Sequence, residues 1–277
     1  MSLLKTVLYI FTVVASTTAL SQKIDYGKNS AAGGYFDVGN CKLYFEVYGK
    51  GKPIVLLHGG VYGYIDEFEP LIDRLSKTHK VICIATRGHG RSEIGHVQFS
   101  YDQRAEDAYK VVRSITTDSV AVLGFSDGGF AALKLAAMHP EMVNQLIVIG
   151  AGDLPKIPKG KERYERYSSK NLLKSAREFF EARLSIMPEP NRWDECLEML
   201  NKMYDSDFVS EETFSKIKCS TLLMAGDKDE YSTIDDFVKC KRAISNAQLA
   251  IIPGCGHVVF YCNLESVWAA IAPFLKK

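Results

Sequence analysis

Apolar and polar positions along the chain repeat with two different periods. Tyr35–Val38 and Cys41–Val47 flank Gly39-Asn40 and read as a strand hairpin. Pro53–Leu57 is continuously apolar, as expected of a strand covered on both faces. Segments 80–85, 120–124, 145–149, 221–225 and 249–252 repeat that character. Between these runs, Glu67–Lys77, Tyr101–Ile115, Gly128–Met138, Ile234–Ile244 and Leu264–Leu275 carry helical spacing. Strands alternating with helices predict an α/β architecture, a mostly parallel central sheet flanked by helices.

One stretch breaks the rhythm. Residues 153–215 show no strand signal and are dominated by charged sequence of helical period, interrupted at Pro188-Glu189-Pro190. A simple crossover between parallel strands takes about a dozen residues, so this stretch is expected to be an inserted helical lid. The core then comprises residues 34–152 and 216–277. Tyr164, Tyr167, Phe179 and Phe180 are the aromatic candidates to line the lid.

The first 21 residues form a separate object. Lys5 is their one charge, Thr6–Val14 is apolar, and small residues at Ala19 and Ser21 precede Gln22. This is the pattern of a secretory signal, and its apolar core is shorter than the roughly 20 residues of a spanning helix. The mature protein is therefore expected to be exported, periplasmic or secreted, without stable membrane insertion. Residues 22–33 read as a flexible leader.

Composition narrows the class further. Of 277 residues, 47% are hydrophobic and 24% charged, which excludes collagen, coiled coil and wholesale disorder. The 34 basic and 33 acidic residues nearly cancel, leaving no electrostatic footprint for nucleic acid. The expected partner is a small-molecule substrate. Seven cysteines are scattered without a CxxC or Cys/His metal pattern, and most read as small buried apolar residues. A Cys255–Cys262 pair is one open option. The absence of HExxH, GxGxxG and Walker patterns gives no reason to expect a metal or cofactor.

The sharpest chemical signal is Gly124-Phe125-Ser126-Asp127-Gly128-Gly129. It follows the strand Val120–Leu123 and opens the helix Phe130–Ala137. A G-x-S-x-G turn between strand and helix lifts a serine above the sheet's carboxyl edge. The helix N-terminus and nearby backbone N–H groups then face the reacting carbonyl. Such a serine needs a base, and the base needs an orienting acid. Six histidines are available; His257 follows the last strand, in Pro253-Gly254-Cys255-Gly256-His257. Acid candidates are Asp227, Asp229 and Glu230 after one strand, and Asp153 after another.

These motifs resemble the α/β-hydrolase family over nearly all of the mature sequence. The Ser-Asp-Gly-Gly elbow, the Gly226-Asp227-Lys228-Asp229 segment and the Gly254-Cys255-Gly256-His257 turn are similar to the valacyclovir-hydrolase-like (biphenyl hydrolase-like) branch. The resemblance implies the α/β-hydrolase fold with a Ser126, His257, Asp229 triad, Asp153 being the rival acid. His58-Gly59-Gly60 stands where the family places its oxyanion loop. Gly60 and Asp127 N–H would then hold the oxyanion, with Gly59 and Val61 bordering the substrate. Arg87–Ser92 looks like the loop after the next strand. Members often carry an aspartate where this chain has Ala85, a departure that bears on support of that loop.

The implied activity is hydrolysis of small carboxylic esters through an acyl-enzyme. Because the branch cleaves α-amino acid esters, the Asp127 carboxylate is a candidate partner for a substrate ammonium. Competing readings are another hydrolase with this triad (lactonase, C–C bond hydrolase or iminopeptidase) and a non-enzymatic ligand-binding protein. A serine nucleophile argues against haloalkane dehalogenation, which needs aspartate there.

Overall fold

A computed structural model describes residues 23–155 and 167–276; the signal segment expected at 1–21 and Tyr164 lie outside the described residues. Eight strands form one sheet: β1 (Gly33–Asp37), β2 (Lys42–Tyr48), β3 (Lys52–Leu57), β4 (His79–Ile84), β5 (Val120–Phe125), β6 (Val143–Ile149), β7 (Ser220–Gly226) and β8 (Ala247–Ile252). Their spatial order is β1-β2-β4-β3-β5-β6-β7-β8. β2 runs antiparallel to both its neighbours, and the remaining pairs are parallel.

Continuous apolar strands are explained by what covers them. In β3, Val55 and Leu57 join the cluster beneath α2 (Tyr101–Ile115) and α3 (Asp127–Met138). Ile54 and Leu56 join the opposite cluster, with α1 (Glu69–Leu75) and the C-terminal helix Leu264–Leu275. Successive side chains leave opposite faces of a strand, so both must be apolar when both faces are covered. A cap sets the start of α2. The Ser100 hydroxyl accepts the Gln103 N–H at the head of α2.

Between β6 and β7 the described residues are helical: α4 (Ser169–Leu184, with non-helical backbone at Ala176), α5 (Trp193–Ser206) and α6 (Glu211–Phe214). The one β feature there is a bridge between Leu154 and Val209, where each N–H donates to the other's carbonyl at 2.8 and 3.0 Å. Beyond β7 come α7 (Ile234–Ala243), β8, α8 (Val259–Cys262) and α9 (Leu264–Leu275).

The described part of the expected leader packs against the sheet. Tyr26 is buried, and its hydroxyl donates to Asp73. Gly27 and Asn29 N–H donate to the Glu46 carboxylate at 2.7 and 2.9 Å, as do the Tyr44 and Tyr48 hydroxyls at 2.8 and 2.7 Å. Glu46 is fully buried, and a buried carboxylate must gather donors. The segment supplies two of them, β2 itself the other two, and the segment is thereby tied to the sheet.

Candidate active site

Strand order places the site. β3 lies between β4 and β5, so the connections leaving the carboxyl ends of β3 and β5 diverge there. Such switch points open a crevice beyond the strand ends. Parallel pairing sets Leu57 opposite Gly124, bringing His58–Gly60 beside Ser126.

Ser126 occupies the turn from β5 into α3 with φ 52° and ψ −121°, and it is the one non-glycine with positive φ among the described residues. That backbone is costly for an L-residue, of order 1–3 kcal/mol, and persists only where surroundings enforce it. The enforcement is visible here. Ser126 N–H donates to Ile149 O at 2.8 Å, and Phe130 and Gly129 N–H return to Ser126 O. Gly128 presses on the Leu57 carbonyl so closely that a Cβ would overlap it. A side chain at this position would push the elbow off the sheet.

His257 follows β8, and Asp229 follows β7. The Ser126 hydroxyl donates to His257 Nε2 at 2.9 Å. His257 Nδ1–H donates to the Asp229 carboxylate, 2.9 and 3.0 Å from its oxygens. Asp229 Oδ1 also accepts the Tyr231 and Ser232 N–H at 2.9 and 3.1 Å. His257 stands between the Phe125 and Tyr231 rings, at centroid distances of 4.9 and 4.7 Å. Beneath it, a Cys255–Cys262 disulfide bridges the His257 turn to the end of α8, while Cys255 O accepts Lys228 N–H at 2.9 Å. The histidine turn and the acid turn therefore brace each other.

The remaining candidates lie elsewhere. Asp153 pairs with Lys239 at 3.5 Å, and Asp227 is exposed. His58 and His89 are buried together, His139 pairs with Glu106 and His96 is exposed. The loop whose aspartate is replaced by Ala85 has other supports. Arg87 forms a two-point ion pair with Asp107 at 2.7 and 2.9 Å, and Ser92 Oγ bridges Ala85 O and Tyr44 N–H.

A cavity of about 290 Å³ adjoins Ser126 and His257, and Gly59, Gly60, Val61 and Asp127 all line it. Neither Gly60 N–H nor Asp127 N–H has an acceptor among the described residues. The Gly59–Gly60 peptide is oriented from behind: His58 Nδ1–H donates to Gly59 O at 2.8 Å, and His58 Nε2 accepts Thr86 N–H at 3.0 Å. Burial, reinforced by His89 alongside, pushes the His58 pKa well below its usual range and keeps the ring neutral.

The Asp127 side chain already has partners within the fold. Its carboxylate is buried and engaged, accepting from the Tyr204 hydroxyl at 2.7 Å and the Tyr101 hydroxyl at 3.2 Å. Arg104 Nη1 stands 3.4 Å from Oδ2. The charge that was to meet a substrate ammonium is already balanced by an arginine. Tyr101, Arg104 and Tyr204 were not among the sequence candidates. One signal pointed to Arg104: it shares the inward face of α2 with Tyr101, Ala105 and Ala108, where a cation requires a buried partner. Tyr167 lines the cavity as well.

A family model described as the alpha/beta hydrolase fold matches residues 52–185. The AB hydrolase superfamily protein YisY of Bacillus subtilis (strain 168) is 28% identical over 258 residues, 84% of this chain and 94% of its own. The chain has the α/β-hydrolase fold. Serine hydrolase BPHL of Homo sapiens is 30% identical over 119 residues, 41% of each chain. Among solved structures, the enol-lactonase from Burkholderia xenovorans LB400 superposes with a TM-score of 0.72 at 17% identity, covering 88% of this chain and all of that chain. At that identity the likeness speaks for the fold alone. Among the described residues, no group of three or more His, Cys, Asp or Glu is placed to hold a metal ion, and no helix is long and apolar enough to cross a membrane.

Proposed function

We propose that this protein is a serine esterase acting on small carboxylic esters with uncharged acyl groups. The reading is carried by the unbroken chain Ser126 Oγ–H to His257 Nε2, then His257 Nδ1–H to Asp229, at the edge of the cavity. His257 takes the Ser126 proton as Oγ attacks the ester carbonyl. Gly60 and Asp127 N–H hold the tetrahedral oxyanion, where preorganised donors are worth most. Asp229 fixes the imidazole tautomer and stabilises the imidazolium. The imidazolium passes its proton to the departing alkoxide, leaving an acyl-Ser126 ester. Water, deprotonated by His257, repeats the sequence and releases the acid. The neutral-acyl preference rests on Arg104, which cancels the Asp127 charge.

The test is hydrolysis of two p-nitrophenyl esters, one with a simple acyl group and one α-aminoacyl, by wild type and Ser126→Ala. Preference for the simple ester, abolished in Ser126→Ala, is expected. Preference for the aminoacyl ester would return the ammonium role to Asp127, and turnover of neither would remove the esterase reading. The export signal is part of the same proposal. N-terminal sequencing of protein from the cell exterior or periplasm should begin near Gln22; an intact Met1 on membrane-bound protein would replace export by anchoring.

A further inference from the structure

One cavity-lining carboxyl plays no part in the mechanism above. Glu67 sits in the single-turn segment Ile65–Phe68 that follows the oxyanion loop, and it lines the same cavity as Ser126 and His257. Its Oε2 accepts the Gly59 N–H at 2.8 Å. Among the described residues it has no ion pair. The charged groups facing it are Asp66 from its own segment, Arg183 from α4 and Asp127 from the head of α3. Arg183 is committed to Asp66 through two 2.7 Å bonds, and Asp127 is committed to Arg104. A carboxyl kept for the fold alone would ordinarily be paired with a cation or left in water.

Gly59 and Gly60 are consecutive glycines, so local sterics do not fix the direction of the Gly60 N–H. It must be fixed from outside. His58 holds the Gly59 carbonyl, Gly63 N–H closes the turn onto Gly60 O at 2.6 Å, and Glu67 holds the Gly59 N–H. We propose that Glu67 is a positioning residue of the oxyanion hole, holding Gly59 so that the next N–H points at the reacting carbonyl. This rests on the esterase reading. Burial pushes the Glu67 pKa up to about 7, so Glu67 ionises within the pH range of the assay below. The ionised carboxylate is the stronger acceptor. The Glu67-dependent part of kcat therefore rises with pH through about 7.

The experiment measures kcat and KM on p-nitrophenyl acetate for wild type, Glu67→Leu and Glu67→Gln, from about pH 5 to about pH 9. The acetyl ester carries no polar substituent for Glu67 to recognise. Glu67→Leu is expected to lower kcat by about 10- to 100-fold, part of the loss seen when an oxyanion donor is removed outright. KM should change by less than about threefold, since the interaction matters in the transition state. Glu67→Gln, which retains an acceptor oxygen, should recover most of that kcat and lose the step near pH 7. A Glu67→Leu enzyme with wild-type kcat, or with its loss confined to KM, would overturn the proposal. If Glu67→Leu does not fold, Glu67→Gln decides: a wild-type pH profile overturns the assignment. A wild-type protein that neither turns over the ester nor reacts at Ser126 with a fluorophosphonate would overturn the esterase reading and this inference together. Active wild type with indifferent Glu67 variants overturns this one alone.

Discussion

The pairing of Arg104 with Asp127 carries a quantitative consequence. The two side chains are 3% and 9% exposed, with Nη1 and Oδ2 3.4 Å apart. At an effective dielectric constant of about 20, unit charges at that separation attract by about 5 kcal/mol. Much of this offsets the cost of removing both ions from water, so the pair adds little net stability. Removing one partner is a different matter. Arg104→Met fills similar space but strands the Asp127 charge, and should cost about 3–5 kcal/mol. For a protein of this size that is a fall in Tm of roughly 6–20 °C. Adding Asp127→Asn removes the stranded charge and leaves the backbone N–H in place, so the double variant should regain most of the loss. Thermal or urea unfolding of the four proteins of the cycle measures the coupling directly. In Arg104→Met, the uncompensated carboxylate should also raise kcat/KM for an α-aminoacyl p-nitrophenyl ester relative to the simple one. An Arg104→Met protein as stable as wild type, or a double variant no better than the single, would refute the charge-balance argument.

Three further expectations follow from the same geometry. Asp229→Asn should keep its fold yet lose about 10⁴ in kcat by stabilising the wrong imidazole tautomer; near-normal turnover would sink the assignment of Asp229. Glu67 has its pKa raised from 4.5 to about 7, so ionising it in the fold costs stability. Wild type should lose ground to Glu67→Gln as pH rises from 4.5 to about 7, by up to about 3 kcal/mol, in urea melts; equal pH dependence would contradict this. The Cys255–Cys262 bridge closes a short loop around His257, so Cys255→Ala/Cys262→Ala should lose about 2 kcal/mol and lower kcat more than it changes KM; unchanged melting and kcat would show that the turn holds itself.

Much of this architecture was written in local pattern. The strands appear within about two residues of the apolar runs, because burial on both faces leaves an uninterrupted signal. Tyr101–Ile115 and Leu264–Leu275 match their periodic stretches end to end. The elbow was legible because its geometry imposes glycine at fixed offsets from Ser126. Pairings across the fold were not. Glu46 alternates with apolar neighbours and so resembles a solvent-facing strand residue, yet it is buried beneath a segment without regular pattern. Asp127 reads as a free carboxylate until α2 and α5 bring Arg104, Tyr101 and Tyr204 to it. Glu67 lies among Asp66, Phe68 and Glu69, where an acidic helix start is the ordinary reading. In each case the deciding partner is distant in sequence, and composition around the residue carries no trace of it.

The bridge between Leu154 and Val209 has an evolutionary reading. Between β6 and β7 the chain runs out past residue 154 and comes back beside it at 209, the two points joined by a reciprocal pair of hydrogen bonds. Ser126, Asp229 and His257 all lie outside that excursion. The intervening stretch, which contributes Tyr167 and Tyr204 to the cavity, is thus a cassette whose two ends meet at one point, although Arg183 and Tyr204 also tie it to Asp66 and Asp127. Recombination at that point would exchange walls of the cavity while leaving Ser126, Asp229 and His257 in register. Arg104 sets the limit on such exchange: it stays behind with Asp127, so a replacement that brings a new charge into the cavity must reckon with a pair it did not evolve beside.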